Sequence, residues 1–213
     1  DLATMTGLLI NNFPETYSLY KEKYYTFNNI RQPNRNRLLW KDNSSDGVKT
    51  GHTESAGYCL ISSAKRNDMR LIAVVAGAKS DKERFNDTQR LLEYGFRFYS
   101  TQEVIKKDNA LKDVDIWGGK ENQVSLGVEN NIKLTLPRTT FRNITISYDF
   151  QNNLRAPIKE GQTLGTLVIK EGEKTLHTEN LVALNDVEAK GFFGRLWASL
   201  LLWFKGLFGL GDA

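Results

Sequence analysis

The hydrophobic period of this chain changes near Tyr99, and that change constrains the fold more than any other feature. From Tyr99 to Glu188 the apolar residues alternate with polar or small ones: Val124, Leu126 and Val128, then Ile132, Leu134 and Leu136, then Ile144, Ile146 and Tyr148. Leu167 and Ile169, and Leu181 with Ala183, continue the pattern. A period of two sends successive side chains to opposite faces of a strand. Short strands at this spacing predict a small antiparallel β-sandwich. Pro137 and Pro157 fall at strand ends, where a missing N–H is tolerated.

Before Tyr99 the texture is mixed. Leu2, Met5 and Leu9 recur at helical spacing within Asp1–Ile10. Tyr58–Ala64 and Met69–Ala76 read as a buried hairpin, separated by the polar turn Lys65-Arg66-Asn67-Asp68. Ser80-Asp81-Lys82-Glu83 has the form of a capping box. It opens a helix that carries Phe85, Leu91 and Leu92 toward Gly95. Such a segment opening at Asp1 looks like the middle of a domain, so part of the protein is expected to lie upstream. The lack of a signal peptide therefore says nothing about localisation.

Composition removes several function classes. A 40% hydrophobic and 25% charged chain folds rather than staying disordered. The net charge of +4 is spread among acidic residues, without the basic stripe of a nucleic-acid binder. Cys59 is the only cysteine, and His52 and His177 are the only histidines. That excludes an internal disulfide and argues against a zinc site. In its apolar setting Cys59 reads as a buried structural thiol. No metal and no cofactor is implied.

The sharpest motif is Asp46-Gly47-Val48-Lys49-Thr50-Gly51-His52-Thr53, just ahead of the strand Gly57–Ala64. On an edge strand, Lys49 supplies a positive charge, Thr50 a hydroxyl donor, and Gly51 room for a substrate backbone. That combination suits a ligand ending in a carboxylate. A three-residue string alone is weak evidence. The wider context is more specific. Asn29–Trp40, with its Asn34-Arg35-Asn36, lies upstream, and Asp68-Met69-Arg70-Leu71-Ile72 and Gly95-Phe96-Arg97-Phe98 lie downstream. Pro157–Gln162 and Gly191–Arg195 extend the series. Together these resemble the low-molecular-mass, serine-type D-alanyl-D-alanine carboxypeptidases, members of the penicillin-binding-protein family, over essentially the whole chain.

The resemblance implies an α+β architecture in three parts. Residues 1–98 would be the C-terminal part of a transpeptidase domain of penicillin-binding and β-lactamase type. Residues 99–188 would be a small all-β sandwich domain, and 189–213 an amphipathic membrane-anchor helix. It also implies a chemistry. A serine attacks the peptide carbonyl between two terminal D-alanines of a peptidoglycan stem pentapeptide, D-alanine leaves, and water hydrolyses the ester. A lysine three residues after the serine moves the proton, and a Ser-x-Asn element assists. β-Lactams mimic the substrate and stall at the acyl stage. Lys49, Thr50 and Gly51 match the third motif, which holds the terminal carboxylate. Arg84 and Arg35 align with arginines near the cleft, and His52 follows the motif as in some members. The nucleophile and its lysine should precede Lys49 by well over a hundred residues, so both are expected upstream of Asp1. Ser18-Leu19-Tyr20-Lys21 and Ser62-Ser63-Ala64-Lys65 fit Ser-x-x-Lys, but neither opens a helix, and both are rejected. The chain alone is therefore expected to be inactive.

At about 100° per residue, the large apolar side chains between Phe192 and Phe208 gather on one half of a helix, with Leu202 the one intruder opposite. Arg195 and Lys205 lie on the other half. This predicts an interfacial anchor through residues 191–210 rather than a spanning helix. It places the protein peripherally on the periplasmic face of the inner membrane. Two other readings compete. A β-lactamase lacks the extra β-domain and anchor. A non-catalytic, membrane-tethered β-domain contacting cell-envelope partners would need only residues 99–213.

Overall fold

The computed structural model describes residues 1–150 and 153–191. It divides into two compact units, Asp1–Thr101 with Thr135–Arg138, and Gln102–Leu134 with the chain from Thr139 onward. The terminal anchor expected from Gly191 to Leu210 lies, Gly191 aside, outside the described residues. No helix among the described residues is long and apolar enough to cross a membrane.

The first unit opens with helix α1 (Leu2–Asn12) and the short α2 (Pro14–Ser18), then a hairpin of β1 (Tyr24–Phe27) and β2 (Ile30–Pro33). The single turn α3 (Leu38–Lys41) leads into β3 (Ser45–Thr53), β4 (Gly57–Arg66) and β5 (Met69–Ala78). These three form an antiparallel sheet in the order β3-β4-β5, so β3 is an edge strand. The expected hairpin is present, and Asn67 in its turn takes φ 52°, the left-handed region that Asn tolerates. Helix α4 (Asp81–Phe98) follows. The Ser80 hydroxyl accepts from the Glu83 amide at 3.1 Å, which is the expected half of the capping box, while the Glu83 carboxylate accepts from the Lys79 amide at 2.6 Å instead of from Ser80; the helix runs one turn beyond Gly95. Its apolar stripe of Phe85, Leu92 and Phe96 packs on Leu60, Ala64, Met69 and Ala73 of the sheet, with Leu38 completing the core. Full burial of a Leu or Phe side chain contributes roughly 1.5–3 kcal/mol, so this cluster is what holds α4 on β4 and β5. Helix α1 buries only Thr6 and leaves Leu2, Met5 and Leu8 about half exposed.

The second unit is built from strands. β6 (Tyr99–Ile105) pairs with β9 (Ile132–Pro137), although the strand ends Tyr99–Thr101 and Thr135–Pro137 belong to the first unit. β7 (Lys112–Trp117), β8 (Gln123–Gly127), β10 (Ile144–Phe150), β11 (Leu154–Arg155), β12 (Thr163–Glu171) and β13 (Lys174–Ala183) form a sheet in the order β10-β12-β13-β8-β7-β11. All these pairs are antiparallel except the short β11–β7. The alternation seen in the sequence becomes the core: Val124, Leu126, Val128, Leu167, Ile169 and Leu181 are fully buried. β10 differs. Ile146 and Tyr148 stay more than a third exposed; among the described residues β10 is an edge strand paired only with β12.

Candidate active site

The Lys49-Thr50-Gly51 string lies in the middle of β3, on the open edge of its sheet. An edge strand keeps a row of backbone N–H and C=O groups free of sheet partners, and such an edge accepts an extended peptide as an added strand. Lys49, Thr50, Gly51 and His52 pair across β4 with Ile61, Leu60, Cys59 and Tyr58. The pleat then separates the motif's side chains. Lys49 is exposed, with its ammonium donating to the Thr50 carbonyl at 2.6 Å. Gly51 is exposed as well, and a Cβ there would meet only Cys59 Cβ at 3.8 Å. Thr50 is 7% exposed and opposite the buried Leu60, so it does not share the open face of Lys49. His52 is exposed and lies against the Tyr58 ring, centroid to centroid 4.0 Å.

Two networks hold β3 from behind. In the first, Asp46 takes the Tyr17 hydroxyl at 2.6 Å and both terminal nitrogens of Arg70, at 2.8 and 2.7 Å. Arg70 also donates to the Ser63 hydroxyl at 2.6 Å. Burial, and then the hydrogen bond to Asp46, push the Tyr17 hydroxyl well above the ordinary tyrosine range. Tyr17 seats against Gly47, where a Cβ would come within 2.8 Å of its oxygen. Nearby, the Asn36 amide donates to the Gly47 carbonyl at 2.9 Å, and the Ser62 hydroxyl donates to the same carbonyl at 3.0 Å. Ser62 is fully buried in β4; Ser18 closes α2 with its hydroxyl on the Glu15 carbonyl and is followed by the single 3-10 turn Leu19–Lys21, not by an α-helix.

In the second network, Arg84 reaches from α4 to the motif's end. Its Nη1 donates to the carbonyls of Gly51 at 2.9 Å and Cys59 at 3.4 Å, and its Nη2 pairs with Asp81. Only 6% of Arg84 is exposed, and its Nε–H is buried without a partner. The structure thus joins Arg84 to the Lys49-Thr50-Gly51 strand. Arg35 is different. It is exposed in the turn before α3, and among the described residues its side chain has no hydrogen-bond or ion-pair partner. That turn is built by its neighbours: Asn34 donates to the Glu22 carbonyl at 3.0 Å and accepts from the Asn36 amide at 2.9 Å. Cys59, expected to be buried, is half-buried, because its strand position faces Gly51, which has no side chain to cover it.

This geometry has relatives. A family model for D-alanyl-D-alanine carboxypeptidase matches residues 1–80, and one for the penicillin-binding protein 5 C-terminal domain matches residues 99–189. D-alanyl-D-alanine carboxypeptidase DacC of Escherichia coli K12 is 44% identical over 211 residues, 98% of this chain and 53% of that protein. Over nearly its whole length the chain is similar to D-alanyl-D-alanine carboxypeptidases. DacA of the same organism is 40% identical over 212 residues, covering 98% of this chain and 52% of that carboxypeptidase. The solved penicillin-binding protein 5 of Haemophilus influenzae superposes with a TM-score of 0.75 at 36% identity, over 87% of this chain and 55% of that one. The chain thus spans about half the length of the curated carboxypeptidases it matches.

Proposed function

We propose that the protein containing this chain removes the terminal D-alanine from peptidoglycan stem peptides through an acyl-serine intermediate, and is acylated by β-lactams. The observation that carries this reading is the edge strand β3, which presents Lys49 and Gly51 on one open face with Arg84 bound at its end. The stem peptide adds along that edge by main-chain hydrogen bonds. Lys49 attracts the terminal carboxylate as a charge-assisted donor, and Gly51 lets the peptide backbone come close. Arg35 and His52 are exposed, and this reading assigns both to substrate binding. The serine oxygen attacks the carbonyl carbon of the penultimate D-alanine and gives its proton to the lysine. D-Alanine departs with a proton on its amine, and water then releases the serine from the ester. Serine and lysine are contributed from outside residues 1–213, so this chain by itself is inactive. Residues 191–210 attach the protein to the periplasmic face of the inner membrane.

The test is release of free D-alanine from a peptide ending in D-Ala-D-Ala by the full-length protein. Release that disappears with Lys49→Ala supports the reading. A full-length protein that releases none refutes it.

A further inference from the structure

Arg84 is a cation held almost wholly out of water, with 7% of its side chain exposed. Burying an unpaired charge is expensive, and one matched carboxylate with good hydrogen bonds is what offsets it. Asp81 is that carboxylate, one turn earlier on α4. Its other oxygen, Oδ2, lies 3.2 Å from Nη2 of Arg37, directly after the Asn34-Arg35-Asn36 turn. Asp81 therefore links the turn that carries Arg35 to the guanidinium that grips β3.

The grip falls on a particular place. Gly51 and Cys59 are register partners across β3 and β4. On its other side β4 slips register against β5 between Tyr58 and Leu60, so Cys59 has no partner in β5. One Arg84 nitrogen donates to the carbonyls of both members of the pair. The sheet is irregular here, and a side chain from α4 fixes what the ladder leaves loose.

We propose that Asp81 is a positioning residue for acylation: it orients Arg84, and through it holds the Gly51 end of the substrate strand. The catalytic part of this proposal rests on the carboxypeptidase reading; the clamp itself does not. A carboxylate is required at position 81, since a neutral amide of the same shape leaves the buried guanidinium uncompensated. Displacements of about 1 Å in a reacting geometry can cost up to about a hundredfold in rate.

The experiment has two arms. In the full-length protein, Asp81→Asn should lower the first-order rate constant for penicillin acylation about tenfold, with the half-saturating penicillin concentration unchanged. Asp81→Glu, which restores the charge, should recover most of the loss. In the chain described here Cys59 is the sole cysteine and lies at the clamp, so its labelling by a disulfide reagent reports the strand pair directly. Asp81→Asn should label several times faster than wild type, and Asp81→Glu near wild type. Wild-type acylation and wild-type labelling in Asp81→Asn would overturn the proposal. So would an acylation loss that Asp81→Glu shares and that tracks a lowered unfolding midpoint. If the wild-type protein takes no penicillin at all, the carboxypeptidase reading falls, and the labelling arm alone decides whether the clamp stands.

Discussion

Lys49 and Tyr17 illustrate the two kinds of residue around β3. Lys49 is exposed and, among the described residues, bonds only to its neighbour's carbonyl, so Lys49→Ala should change stability by no more than about 0.5 kcal/mol. Losing a hydrogen bond to a charged group costs roughly 1.5–3 kcal/mol, so acylation of the full-length protein by penicillin should fall by about one to two orders of magnitude. An acylation rate equal to wild type removes Lys49 from the site. Tyr17 works by contrast through the fold. Tyr17→Phe removes a donor to Asp46 and should cost roughly 1.5–3 kcal/mol in denaturant unfolding. Its raised pKa gives the sign of the pH effect. Stability from the protonated hydroxyl is complete below the ordinary tyrosine value of about 10 and is lost as pH climbs from there through the folded value. The Phe variant should lack that alkaline component. Of these two residues only Lys49 was legible in the sequence, because its motif is contiguous. Tyr17 and Arg70 stand 29 and 24 positions from Asp46, and no local pattern announces a pairing that the sheet creates. Thr50 was half legible: its identity belongs to the motif, but its burial follows from the pleat and the partner Leu60.

Elements were read most reliably where a local rule decides them. The Ser80 cap of α4 is such a case, and Ser80→Ala should cost about 1 kcal/mol, measured by thermal or urea unfolding; no change would mean the hydroxyl bond to Glu83 contributes nothing. The β4–β5 hairpin was equally clear, since two apolar runs flank a polar turn. Period alone misled at β10. Ile144, Ile146 and Tyr148 alternate as core residues would, yet the strand lies at the sheet's edge and keeps them partly exposed. Alternation describes which face a residue takes and not whether that face is covered. Helix α1 repeats the lesson: its spacing was right, but Leu2 and Met5 are exposed and Leu9 is half-buried in residues 1–213.

Across the whole molecule, the change of period near Tyr99 lies close to where the chain passes from one compact unit to the other, at Thr101–Gln102. What periodicity could not show is the return of Thr135–Arg138 to the first unit, where the Arg138 amide donates to the Phe98 carbonyl at 2.9 Å and its side chain to Arg97 and Phe96. Residues 99–188 expressed alone should still fold, since the buried Val124, Leu126, Leu167, Ile169 and Leu181 all lie within them. A dispersed amide spectrum is expected, and a random-coil spectrum would contradict separate folding. At the far end, liposomes should float the chain and lose it on removal of residues 191–213, whose two cations also favour anionic lipid. On the proposed reading, β3 is the substrate-binding edge of a serine carboxypeptidase whose nucleophile is not among residues 1–213. The most direct measurement is fluorescent penicillin followed by peptide mapping of the labelled serine. One acylated serine is expected in the full-length protein, located outside residues 1–213, and no label on this chain alone. A covalent label on Ser18 or Ser62, or none on the full-length protein, would contradict it.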